Sequence, residues 1–285
     1  MNDGGYEDLT ILVNSCDAYD DVWDLYFSAF QEHASCLSNN IVLNTESKHY
    51  NNKILDVKTT NYLNKNKDQW GERLLHALSE IKTEYVLMVC EDYILESAIS
   101  EEKLQSCLSF MRSNKEAAVI YLVKVFEDIV EDSGFDFEEL KKYVDYKVNS
   151  AAAIWRKADL IRYVGSIDSP WAWEYFGSYR SYFDGKKFYQ VSKQDSDLYH
   201  YNYSLGGAIY RGKWVRDVVE EKIKKYKLPI NINERGVADL ADLPKRSAKW
   251  KIDFFCLGYR MIGFPVALFF FRALSKKILH KMGCS

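Results

Sequence analysis

The sequence predicts an α/β protein with a mainly parallel sheet flanked by helices. Short, mostly apolar runs stand at Leu9 to Val13 (LTILV), Tyr85 to Cys90 (YVLMVC) and from Ala117 (AAVIYLVKVF to Phe126). They lack the polar alternation of a half-solvated strand, as expected where both faces of a sheet are covered. Stretches of helical spacing separate them, at Asp21 to Ala34, at Leu74, Leu75, Ala77, Leu78 and Ile81, and at Ser100 to Ser113. Several runs also empty into polar residues, which in open α/β sheets face the ligand crevice at the carboxyl edge.

Composition sets the outer limits. The chain has 285 residues, 47% hydrophobic, with only four prolines, which suits one sizeable domain with or without a small appendage. A formal net charge of −3 provides no global field for nucleic acid. The 21 tyrosines and 7 tryptophans suit sugar-facing surfaces and packed cores alike. Cys16, Cys36, Cys90, Cys107, Cys256 and Cys284 form no CxxC pair, so reduced thiols in a cytoplasmic protein are expected, without a disulfide framework or zinc site. The opening MNDGGYEDLT is acidic and polar, unlike a signal peptide, and export is not expected.

In chain order, the first strand ends in Asn14-Ser15-Cys16-Asp17, where Asn14 and Asp17 have groups suited to a base or ribose. Asp17 or Asp20 also reads as the cap of the next helix. Further strands are expected at Asn40 to Asn44 and Lys53 to Val57. Asp68-Gln69-Trp70-Gly71-Glu72-Arg73 opens a helix leading into the central strand. Arg73 in its first turn suits a phosphate, or an ion pair near Glu72 or Glu80. The central strand runs into Glu91-Asp92, two carboxylates able to hold a divalent cation against a diphosphate, or simply a solvated strand end. Ser100 with Glu101 and Glu102 opens a capped helix. Glu127 to Glu139 reads as a solvated acidic segment, Tyr146 to Trp155 as a strand and Lys157 to Tyr163 as a helix.

Ser169-Pro170-Trp171-Ala172-Trp173-Glu174 sets a carboxylate among aromatic rings. Glu174 there suits a base with a raised pKa, and Trp171 and Trp173 suit the apolar face of a pyranose. The other reading is a helix start with inward aromatics. Phe188 to Val191 and Ile209-Tyr210 read as late strands, His200 lies between them, and Gly206-Gly207 permits close backbone approach. Arg211 and Lys213 have charges suited to closing over phosphates.

The order of these parts resembles the GT-A glycosyltransferases, most closely the inverting family 2-like enzymes of bacterial surface polysaccharide synthesis. The parts are a strand followed by Asn14 and Asp17, a helix with Arg73, a strand followed by Glu91-Asp92, AAAIWRKADL, and Trp173-Glu174 at a helix start. The likeness covers roughly Leu9 to Trp214. It implies a Rossmann-like GT-A domain using a nucleotide-sugar donor, UDP-linked by expectation, with Mn²⁺ or Mg²⁺ on its diphosphate. It matches Asp92 to the last acid of the family's D-x-D motif and Glu91 to the position before it, with Cys90 departing from the first. It makes Glu174 the base, with Tyr175 where a second acid is usual. It gives Asp17 the base or ribose contact and His200 a place in the metal shell. The activity so implied is transfer of a hexose or derivative, with inversion, to a polyprenyl-diphosphate-linked glycan in capsule or O-antigen synthesis. The alternatives are an inactive membrane-docked scaffold and a sugar nucleotidyltransferase.

Residues 1–228 are expected to form the GT-A domain and 229–285 a C-terminal amphipathic helical segment. KWKIDFFCLGYRMIGFPVALFFFRALSKKILHK is aromatic and apolar, with Lys249, Lys251, Lys276, Lys277 and Lys281 at its flanks. Asp253, Arg260 and Arg272 interrupt it, and Gly263 and Pro265 break it. Helices lying on the inner face of the cell membrane are expected rather than a span. Packing back on the domain is the other reading.

Overall fold

β1 (Leu9–Asn14) is the strand from which the sheet grows in both directions. In the computed structural model, residues 5–52, 54–63, 70–130, 137–192, 197–203, 205–238 and 247–271 are described. Among them β1, β2 (Ile41–Thr45), β3 (Val57–Asn61), β4 (Tyr85–Cys90), β5 (Ala117–Tyr121), β6 (Phe137–Glu139), β7 (Ala153–Arg156) and β8 (Lys187–Val191) form one sheet. Its order is β3-β2-β1-β4-β7-β5-β8-β6, in which β7 and β6 run against the other strands. The expected mainly parallel α/β architecture is the one observed. Every residue of β1, β2, β5 and β7 is buried, which is why these strands read as continuous apolar runs.

Helices pack against this sheet. α1 (Asp20–His33) buries Val22, Trp23, Leu25, Tyr26, Phe27, Ala29 and Phe30. α2 (Trp70–Glu80) buries Leu74, Ala77 and Leu78, and α3 (Glu101–Ser113) starts where Ser100 Oγ accepts the Lys103 N–H at 3.4 Å. α4 (Lys157–Tyr163) follows β7 directly, and the single turn α5 (Pro170–Ala172) opens on Ser169, whose Oγ accepts the Ala172 N–H. A π turn, Trp173–Gly177, continues it. A two-strand hairpin, β9 (Ile209–Tyr210) and β10 (Lys213–Trp214), leads into α6 (Arg216–Tyr226), α7 (Ile232–Arg235) and α8 (Ala248–Ile262).

Some boundaries differ from expectation for identifiable reasons. The third strand begins at Val57, where the expected one ended: it is a half-buried, Thr-rich edge strand with little apolar signal, and Lys53 lies outside the described residues. β5 stops at Tyr121 because the Leu122 carbonyl accepts from Leu198 and Tyr199. The strand expected from Tyr146 is confined to β7. The acidic segment contributes β6, paired with β8, while 131–136 lies outside the described residues, as do Asp68 and Gln69. Neither Asp17 nor Asp20 caps α1; its cap position is Tyr19, without a side-chain bond. The five described cysteines are free thiols. Contacts cross the boundary expected after 228, since Arg235 pairs with Asp21 and Trp214 bridges Val237.

Candidate active site

β1 has β2 on one side and β4 on the other, so the chain reverses its direction of travel across the sheet there. The crevice outside the carboxyl ends of such neighbours is where open α/β sheets bind ligands. Asn14 and Cys90 are register partners, which sets Asn14-Ser15-Cys16 beside Cys90-Glu91-Asp92. A cavity of about 270 Å³ opens here, walled by Asn14, Tyr19, Trp70, Arg73, Glu91, Asp92, Ser150 and Ile209 among others.

Of the two acids Glu91 is buried and Asp92 half-buried. Glu91 is buried, and its carboxyl is pushed up by that burial and by the Asp92 charge. Asp92 is pushed up by burial too, although its own and the Ile209 backbone N–H lean the other way. Gly207 makes this contact possible: a Cβ there would stand 2.7 Å from the Asp92 carbonyl, at φ +134°. The Cys90 thiol is raised by burial and so stays protonated.

Arg73 reaches the cavity wall. It is paired with Glu46, and its Nη2 donates to the Ser15 carbonyl at 2.9 Å. Asp17 has a different task from the one expected. Its carboxylate accepts from the N–H groups of Glu46, Ser47 and Lys48 and from Ser47 Oγ, while the Asp17 N–H donates to Glu46. Asp17 therefore fixes the turn after β2 and does not line the cavity. Burial alone would raise its pKa, but the Ser47 hydroxyl and the three N–H donors outweigh it and hold the carboxyl down at about 2. Its contribution to stability is full above the ordinary carboxylate range and is lost as pH falls toward about 2. Asp17→Asn is expected to destabilise the fold by about 1–2 kcal/mol near neutral pH, discounted for partial exposure. The deficit should shrink below pH 4, measured by urea unfolding at several pH values. Asn14 lies in the wall with its Oδ1 accepting from Asn44 Nδ2 at 2.7 Å.

Glu174 sits in a second cavity of about 420 Å³, lined by Tyr93, Tyr146, Tyr201, Tyr203, Lys124, Asn149 and Ser150 among others. Its Oε1 accepts the Ser150 N–H at 2.9 Å and Ser150 Oγ at 2.5 Å. Burial raises its pKa, and the two Ser150 donors partly offset that. Ser150 lines both cavities, so they meet at this side chain.

Five other expected site residues lie elsewhere. Trp173 is 0% exposed; its Nε1 donates to the Tyr163 carbonyl at 3.1 Å and its ring lies against Trp70 and Trp155. It is a core residue and presents no face to a sugar. Trp171 is 63% exposed and lines neither cavity. His200 is 50% exposed and faces Glu96 at 3.8 Å, with no place beside Asp92. His200 stands exposed between buried Tyr199 and Tyr201 in an irregular segment tied down by the Leu95–Tyr201 bridge. Arg211 and Lys213 are exposed at the hairpin tip, where Arg211 (φ +50°) and Gly212 (φ +81°) make the two-residue turn and Arg211 lies over Tyr210. That makes six absences from these two cavity walls, counting Asp17.

Sequence reasoning missed Tyr19, Glu46, Ser150 and Arg235. Glu46 carried a signal, an acid directly after a buried strand. Arg235 carried none: it reaches back 214 residues to Asp21 and lies over the Tyr19 ring at 4.8 Å.

No protein-family model and no curated protein matches the chain by sequence. Solved structures resemble it in fold. S. aureus TarS 1-349 in complex with UDP-GlcNAc is 12% identical with TM-score 0.49, over 80% of this chain and 69% of that one. The same TarS segment in complex with UDP gives 12% and 0.46, over 79% and 68%. A cytidylyltransferase from Leptospira borgpetersenii gives 11% and 0.42, over 67% and 78%. At this level the likeness concerns the α/β architecture and assigns no activity.

Proposed function

We propose that the chain is a glycosyltransferase of GT-A architecture that moves a hexose or derivative from a nucleotide sugar, with inversion, to a glycan acceptor. The supporting observation is the junction of the two cavities at Ser150. One cavity holds adjacent carboxylates at a sheet switch point, the other holds a half-buried carboxylate with a raised pKa. A donor diphosphate at Glu91-Asp92 leaves its anomeric carbon directed at the junction, with Glu174 across from it. Glu174 takes the proton of the acceptor hydroxyl as that oxygen attacks. Tyr19 and Ile209 provide apolar walls for a base, and the tyrosines around Glu174 provide them for acceptor rings. The acceptor we infer is a lipid-linked glycan of surface-polysaccharide assembly.

The donor set fits Mg²⁺ or Mn²⁺ only together with a phosphate ligand. Among the described residues no three His, Cys, Asp or Glu converge, and a small hard cation is satisfied by one or two carboxylates plus phosphate oxygens. Glu91 and Asp92 would hold it, Cys90 being a protonated soft ligand. Such an ion, if bound there, would supply neutralisation of charge on the leaving diphosphate. Arg73 adds a fixed positive charge to the same wall.

Calorimetry with UDP, GDP, CMP and TDP, with and without Mn²⁺, tests the donor site. UDP is expected to bind only with the metal, and at least about tenfold more weakly in Asp92→Asn. Binding that ignores the metal would transfer charge neutralisation to Arg73. No binding of any nucleotide would end the donor reading.

A further inference from the structure

We propose that the outer face of α8 and the turn that follows it form a docking surface for an anionic lipid bilayer. The inner face of α8 is already satisfied. Phe254 lies against Phe176 with ring centroids 4.8 Å apart, Leu257 and Met261 pack in the same cluster, and a Cβ at Gly258 would stand 2.5 Å from the Phe176 ring. A helix so seated ordinarily turns polar residues to solvent. This one exposes Ile252, Phe255 and Tyr259, a stripe at i, i+3 and i+7 on the side opposite Phe254, Gly258 and Met261. The stripe continues past Gly263. Tyr259 meets Phe264 at 5.6 Å, and Phe264, Leu268 and Phe271 are 82%, 59% and 69% exposed at i, i+4 and i+7.

Charge identifies the occupant. At about 100° per residue, Lys251 flanks the stripe on one side and Lys249 and Arg260 flank it on the other; all three are exposed. Residues 247–285 contain seven Lys and Arg against the single acid Asp253, whereas residues 1–246 contain 31 against 40, a net of −9. Cations bordering exposed aromatics match the headgroup boundary of an anionic leaflet, where rings enter the interface and cations meet lipid phosphates. A second copy would instead set two +6 segments against each other. Among the described residues no helix is long and apolar enough to cross a membrane, consistent with a helix lying in the interface. Lys276, Lys277 and Lys281, expected to add to this charge, lie outside the described residues, as does Arg272.

The surface is coupled to the acceptor cavity. Tyr175, next to Glu174, contacts Phe254 and Phe269 on one side and Tyr146 of the cavity wall on the other. Bilayer docking therefore brings a lipid-tethered molecule to the Glu174 side of the protein. The docking itself does not depend on the transferase reading.

The test is co-sedimentation of the full chain with vesicles of phosphatidylcholine alone or with 30% phosphatidylglycerol (about 0.15 M salt). Binding is expected only to the anionic vesicles. Partitioning should fall at least about tenfold in Phe264→Asp/Phe271→Asp and about as much in Lys249→Glu/Lys251→Glu. All four positions are exposed, and unchanged thermal melting and nucleotide binding in these variants would separate a docking defect from misfolding or loss of the donor site. Failure of the wild-type chain to bind anionic vesicles, equal binding to neutral ones, or wild-type partitioning by the Phe variant would each overturn the proposal. So would a dimer in sedimentation velocity that the Phe variant disperses.

Discussion

Glu174→Gln is expected to lower sugar transfer by about 10²–10⁴-fold, the usual contribution of a positioned base, while donor binding stays unchanged. The variant is a fair test because the glutamine carbonyl can still accept both Ser150 donors, so geometry survives and only basicity is lost. The pH profile carries a second signature. Burial raises the Glu174 pKa, so its active, ionised form is lost as pH falls through a value above the ordinary carboxylate range. The acid limb of kcat should lie correspondingly high. Ser150→Ala removes one donor that favours the ionised form, and should move that limb to still higher pH and lower kcat about tenfold. Ser150 is thus a positioning residue, acting through Glu174. A Glu174→Gln enzyme within threefold of wild type would remove Glu174 from the role of base, whatever the nucleotide titrations show.

Trp173→Ala is expected to destabilise the fold by about 3–5 kcal/mol, read as a drop in denaturation midpoint with unchanged slope. The indole is fully buried among Trp70, Trp155 and the Tyr163 carbonyl, so its removal leaves a cavity and an unpaired acceptor. A sugar platform would behave in the opposite way, with stability nearly intact and acceptor KM raised. Trp171→Ala provides the contrast: its exposed ring should cost under about 0.5 kcal/mol. Equal stability of the two variants would refute the core assignment.

These two residues also show how far a sequence can be read. Glu174 and Trp173 are neighbours with the same local signal, a carboxylate and an aromatic at a capped helix start. Which of them faces the cavity depends on the π turn at Trp173–Gly177 and on where Ser150 comes to rest, 24 residues away. His200 was misplaced for a similar reason, because the Leu95–Tyr201 bridge decides which face it takes.

By itself the sequence determined the α/β class, the two acids at the end of the central strand, the caps at Ser100 and Ser169, and the apolar tail. Each of these rests on local physics: strands buried on both faces must be continuously apolar, and caps need an oxygen beside the first free N–H groups. Only the tertiary structure decided that Asp17 secures the turn at Glu46, that Arg73 is shared with Glu46, that Ser150 joins two cavities, and that the tail presents one apolar face to the domain and another outward. Those outcomes depend on contacts between residues tens to hundreds of positions apart, where the same side chain can serve a ligand, a core or an ion pair until its neighbours are known.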